Sequence, residues 1–226
     1  MRTTATEPAA NGRRATLQRR IQACIGDAAS PTSDLGDEHR ALLQDLCSWQ
    51  SEVVPVYRRW LSAHAAQAGT LPLPTEVFRH AQVASFPPEL SERCFLSSGT
   101  TGQARARHRM RSLALYDSAA TRAAAWALFA DQERLPLHLL APAQAAAPAS
   151  SLSHMLACFR QRFGQGEADV QVWQGDGLDI GRWTVALRAA EKQSTPVALL
   201  GTSFAFVHAE DALGGQRFAL PPGSRL

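Results

Sequence analysis

The chain has no run of about 18 consecutive apolar residues, which excludes a helical membrane span. Its first residues, "MRTTATEPAANGRR", lack the apolar core of a secretory signal. Four widely spaced cysteines, Cys24, Cys47, Cys94 and Cys158, form no CxxC pair and no Cys/His ligand pattern. That argues against a zinc site and a disulfide framework, and for a reducing, cytoplasmic setting. Charged residues are only 19% of the chain and the net charge is +3, so a disordered polyelectrolyte is excluded. This mild charge, with few aromatics near the arginines, argues against nucleic acid as a partner. No internal repeat is visible.

What is present is core material. Of the 226 residues, 45% are hydrophobic, enough for one or two domains. Residues 1–35 read as a flexible lead and linker, with a short helix in "RRATLQRRIQACIG" stopped by Gly26. A domain is expected over 36–226. It opens with a helical region from Glu38 to Ala66 that Pro55 must kink or split. "TLPLPTEVFRHAQVASFPPELSE" is proline-rich and loop-like. "RCFLSS" and "ARARH" read as short strands, and a helix follows from Ser112, a candidate N-cap.

The second half alternates. "LPLHLLAP" suits a buried strand, "SSLSHMLACFRQRFG" a helix, "ADVQVWQG" a strand, "LDIGRWTVALRAAEKQS" a helix, and "TPVALLGTSFAF" a buried strand ending at a Gly-Thr turn. Strand-helix alternation predicts an α/β fold with a layered, largely parallel sheet flanked by helices. Ligands of such sheets sit beyond the carboxyl ends of the strands. Trp126, Trp173 and Trp183 read as packing residues, and His154 as structural.

Between the two short strands lies Ser97-Ser98-Gly99-Thr100-Thr101-Gly102, followed by arginine at every second position: Arg105, Arg107, Arg109 and Arg111. The loop is rich in hydroxyls and in backbone N–H groups that no bulky side chain shields. A polyphosphate cradle needs such directed donors, and glycine permits close approach. Composition alone equally allows a surface turn. It is not a Walker A loop, because Gln103 rather than lysine follows Gly102. Arg105 and Arg107 would share one face of a strand, where they could neutralise phosphate or simply be solvated.

Four segments in order, "FLSSGTTGQARARH", "LALYDSAA", "SSLSHML" and "PVALLGTSFAF" with "FALPPGSRL", resemble the bacterial acyl-protein synthetases. These are also called long-chain-fatty-acid–luciferin-component ligases and belong to the adenylate-forming superfamily. The resemblance runs from about Leu71 to Leu226. It implies the large N-terminal domain of such enzymes and ATP-dependent activation of a fatty acid to an acyl-adenylate, with Mg²⁺. The acyl group would then pass to a thiol of a reductase or carrier protein.

The resemblance assigns Ser97, Ser98, Gly99, Thr100, Thr101, Gly102 and Arg105 to the phosphates. It puts Gly201 and Thr202 beside the nucleotide, and Ser151, Leu152 and Met155 along the acyl chain. His108 would either bond the acyl-adenylate carbonyl as a catalytic group or tie the loop to the sheet. In these relatives the Leu-Pro-Gly-Ser segment continues into a Glu-Thr-Gly-Gly motif and a C-terminal region carrying the acyl-accepting cysteine. The sequence ends at Leu226, so a truncated or split ligase, completed by a separate C-terminal polypeptide, is a further expectation. Another alternative is a phosphate- or nucleic-acid-binding module built on "RARHRMR".

Overall fold

The computed structural model describes residues 7–27, 36–64, 71–98 and 104–226. It is a mixed α/β structure dividing into two compact units, Met1–Arg122 and Ala123–Leu226. Local hydrophobic periodicity marks elements, and it does not reveal which elements share a core.

The first unit begins with α1 (Glu7–Asp27), which occupies most of the stretch expected to be a flexible lead. Its helix packs on α2 (Gly36–Val53), with Leu17 and Leu42 buried. Arg13 bonds Glu52 at 2.7 Å and Arg20 bonds Asp45 at 2.5 Å. These surface pairs fix register more than they stabilise. The linker read at 28–35 lies outside the described residues.

Proline splits the next helical region as expected. Val54 takes extended backbone, and α3 (Pro55–Ala63) starts with Pro55 in its first turn, where the missing N–H costs nothing. The proline-rich stretch holds α4 (Val77–His80) and a 3-10 turn at Pro88–Leu90. Next, β1 (Arg93–Leu96) pairs antiparallel with β2 (Arg107–Met110) in the register Cys94↔Arg109 and Leu96↔Arg107.

Helix α5 (Ala114–Ala127) follows, and the unit boundary falls within it. Its start is capped by two side chains. The Leu113 N–H donates to Glu92 Oε2 at 3.0 Å, and the Ala114 N–H donates to Ser112 Oγ at 3.3 Å.

The second unit contains the parallel sheet. Its strands are β3 (Leu137–Leu140), β4 (Val170–Gln171) and β7 (Ala198–Gly201), in the order β4-β3-β7. Arg225 adds a parallel bridge outside β7, its N–H donating to the Val197 carbonyl at 2.8 Å. The central strand β3 is buried throughout, its three leucines interrupted only by His138. The crossovers are α6 (Ser151–Phe163) and α7 (Ile180–Gln193), with α8 (Ser203–Leu213) after β7. Trp183 and Leu187 of α7, Leu140, Val172 and Val197 form the core.

Here the sequence reading needs two corrections. "ADVQVWQG" is not one strand: after Val172 the chain turns into a hairpin of β5 (Trp173–Gln174) and β6 (Gly177–Leu178), with Gly175 at φ +53°. The residues after the Gly-Thr turn form α8, which apolar composition alone did not separate from a strand.

Two buried polar groups fix this unit. Asp169 Oδ1 accepts from the Leu137 N–H at 3.0 Å and the Gln165 N–H at 2.9 Å, and Oδ2 lies 3.4 Å from Arg160 Nε. His138, on β3, accepts at Nδ1 from the Trp183 indole N–H at 3.1 Å. Burial pushes His138 down to about 4 against the opposing pull of Asp169, so the ring is neutral at pH 7.

Candidate functional site

The β1–β2 hairpin presents the small-residue loop. The Ser97 N–H donates to the Ala106 carbonyl at 3.0 Å, and the Ala106 N–H donates back to Ser97 Oγ at 2.9 Å. Arg105 Nε donates to the Ser97 carbonyl at 2.7 Å. The Ser97 hydroxyl therefore closes the base of the loop, and Arg105 clamps it through Nε. Ser98 is exposed. Gly99, Thr100, Thr101 and Gly102 lie outside the described residues.

Strand alternation places Arg107 and Arg109 on one face of β2. That face borders a cavity of about 570 Å³, lined also by Arg105, Leu96, Arg79 and His80. No carboxylate lines it among the described residues, and neither Arg107 nor Arg109 has an ion pair there. Such a concentration of cations favours an anion with several oxygens. Arg109 was not singled out from the sequence as a site residue, although it continues the two-residue spacing of Arg105 and Arg107.

His108 points to the other side of the alternation. Its ring stacks on Phe78 of α4 with centroids 4.7 Å apart, tying β2 to that helix. Its cross-strand neighbour Phe95 is buried and tilted against Tyr116.

A second cavity in the same unit, about 680 Å³, has a different lining. Trp49, Val54, Tyr57, Leu73, Phe78 and Phe86 are among its walls, and Arg109 is the one charged residue lining it among the described residues. Burial, then a bond with Cys47, pushes the Tyr57 phenol up to about 12. It stays protonated and donates to the Leu71 carbonyl at 3.0 Å. The sequence reading missed this cavity because Leu71–Phe86 looked like a plain loop. Its signal is the recurrence of Leu71, Leu73, Phe78, Val83 and Phe86 among the prolines.

In the second unit, Gly201 ends β7 and Thr202 caps α8, its hydroxyl accepting from the Ala205 N–H at 3.2 Å. Both lie at the carboxyl end of the sheet. A Cβ on Gly201 would meet Leu140 Cβ at 2.8 Å, so close strand packing already demands glycine there.

Ser151, Leu152 and Met155 are half-buried on α6, whose start is capped by Ser150 accepting from the Ser153 N–H at 3.1 Å. A small cavity of about 90 Å³ beside this helix is lined by Ser153 and Leu156 instead. His154 is buried, with Nδ1 2.8 Å from Gln144 Nε2 and Nε2 3.6 Å from Cys158 Sγ. Among the described residues, no helix is long and apolar enough to cross a membrane. No family model, no curated protein and no solved structure matches the chain.

Proposed function

We propose that the chain activates a fatty acid with ATP, forming an acyl-adenylate whose acyl group passes to a protein thiol. The observation that carries this reading is the hairpin that brackets Ser97–Gly102 and lines one cavity with Arg105, Arg107 and Arg109. Thr100, Thr101, Gly99 and Gly102 would cradle the phosphates with hydroxyls and backbone N–H groups. The arginines would offset their charge.

The fatty-acid carboxylate oxygen bonds to the α-phosphorus, the bond from that phosphorus to the bridging oxygen breaks, and pyrophosphate leaves. Cations held next to the leaving group stabilise the charge that develops on it. Among the described residues the cavity wall supplies no carboxylate, and in this reading Mg²⁺ would enter as the ATP complex, ligated by phosphate oxygens. Gly201 and Thr202 contribute the nucleotide-facing turn that the resemblance implies.

The test is fatty-acid-dependent ATP–pyrophosphate exchange. Thr100→Ala lowers it on the order of tenfold or more, and Gly102→Val abolishes it. Unchanged exchange in both variants would show that the loop does not hold ATP.

A further inference from the structure

The two cavities of the first unit share a wall. Phe78, Val83 and Arg109 line both. On one side are Arg105, Arg107 and Arg79, and on the other are Trp49, Val54, Leu73 and Phe86. Arg109 is half-buried and is the one residue whose charge reaches both spaces. It has no carboxylate partner among the described residues, although a half-buried guanidinium ordinarily finds one. The apolar side is large enough for an extended ligand, since small-molecule sites span about 300–1,000 Å³. Its polar groups are few. The Tyr57 hydroxyl is committed to the Leu71 carbonyl, and the buried Trp49 Nε1 has no hydrogen-bond partner among the described residues.

We infer that this apolar cavity holds the hydrocarbon tail of a carboxylate ligand, with Arg109 fixing the carboxylate at the border of the arginine-lined cavity. An uncharged ligand would leave Arg109 unpaired. A compact polyanion would waste the apolar wall and find one cation instead of several. A single anionic head on an apolar tail satisfies both sides. This rests on the acyl-activating reading for its purpose, and it differs from the resemblance over location. The tail is assigned to the space under α2 and α3, rather than to Ser151, Leu152 and Met155. Arg109 is then a positioning residue, which aims a carboxylate oxygen toward phosphates held by Arg105, Arg107 and the loop.

The test is binding of dodecanoate and of its uncharged analogue dodecanol to the full chain, followed by calorimetry and tryptophan fluorescence. Dodecanoate binds, and Arg109→Gln weakens it on the order of tenfold to a hundredfold while dodecanol affinity is unchanged. Ala84→Phe, which fills the apolar side, weakens both ligands in a protein whose circular dichroism is unaltered.

Absence of dodecanoate binding overturns the inference. So does equal loss of both ligands in Arg109→Gln, or retention of both in folded Ala84→Phe with loss in Leu152→Phe. Dodecanoate binding with this pattern, but without ATP–pyrophosphate exchange, removes the acyl-activating reading and leaves the cavity assignment standing.

Discussion

Acid should unfold the second unit through one ring. His138 is 2% exposed in the middle of β3, its Nδ1 occupied by the Trp183 indole N–H. Burial in the apolar core disfavours a second ring proton, so the imidazole is held down to about 4 from an ordinary 6.5 against the opposing pull of Asp169. Between these values the unfolded chain binds a proton that the folded chain refuses. Stability therefore rises with pH across the window. The contribution is complete above about pH 6.5 and lost as pH falls toward 4. At about 1.4 kcal/mol per tenfold change in proton activity, going from about pH 7.5 to about pH 4.5 costs about 2.5 kcal/mol.

Urea unfolding at the two pH values, read by far-ultraviolet circular dichroism, measures the difference as a shift in midpoint. His138→Gln keeps an acceptor for Trp183 but cannot titrate, so its stability should fall by less than about 1 kcal/mol over the same interval. A wild-type loss under about 1 kcal/mol, or an equally steep loss in His138→Gln, would refute the argument.

Two further outcomes follow from the same unit. Asp169→Ala strands the Leu137 and Gln165 N–H groups and should cost about 2–5 kcal/mol by thermal or urea unfolding, with Asp169→Asn costing less because an acceptor remains. Gly201→Ala drives a methyl to within 2.8 Å of Leu140 Cβ and should cost about 1–3 kcal/mol. If the Gly201 variant is as stable as the parent and only nucleotide binding changes, the packing account of this glycine is wrong.

Much of the second unit was legible because each signal there is local and physical. Ser150 and the buried Leu137–Leu140 segment there, like Pro55 in the first unit, act within a few residues of themselves, as a cap, a buried strand and a break. The misses are non-local. Whether Trp173 continues β4 depends on the turn at Gly175, and the apolar residues of Ser203–Leu213 form a helix because Thr202 caps them. The helix expected in "RRATLQRRIQACIG" is there but starts earlier, at Glu7, because the preceding polar residues carry little periodicity and the helix is held by packing on α2. At the candidate site, the two-residue arginine spacing was readable, while the apolar cavity that Arg109 also lines was not. That cavity is assembled from α2, α3 and a proline-rich segment that periodicity leaves blank.

In the proposed reading, the arginines would supply the charge that such a loop needs to hold an anion. In a Walker A site the loop runs into a helix, whose N-terminal N–H groups and dipole offset phosphate charge. Here the segment after the loop is β2, and a strand has almost no net dipole to offer. Any compensation must come from side chains, and only every second residue of a strand faces the same space. A strand that must replace a helix dipole therefore needs cations two residues apart, which is the pattern of Arg105, Arg107 and Arg109. The alternation carries a second consequence. The intervening positions face away and are free to hold the strand in place, as Ala106 does by pairing with Ser97 and His108 by stacking on Phe78. In the proposed reading, Arg109, which lines both cavities, would then set where a carboxylate meets the phosphates.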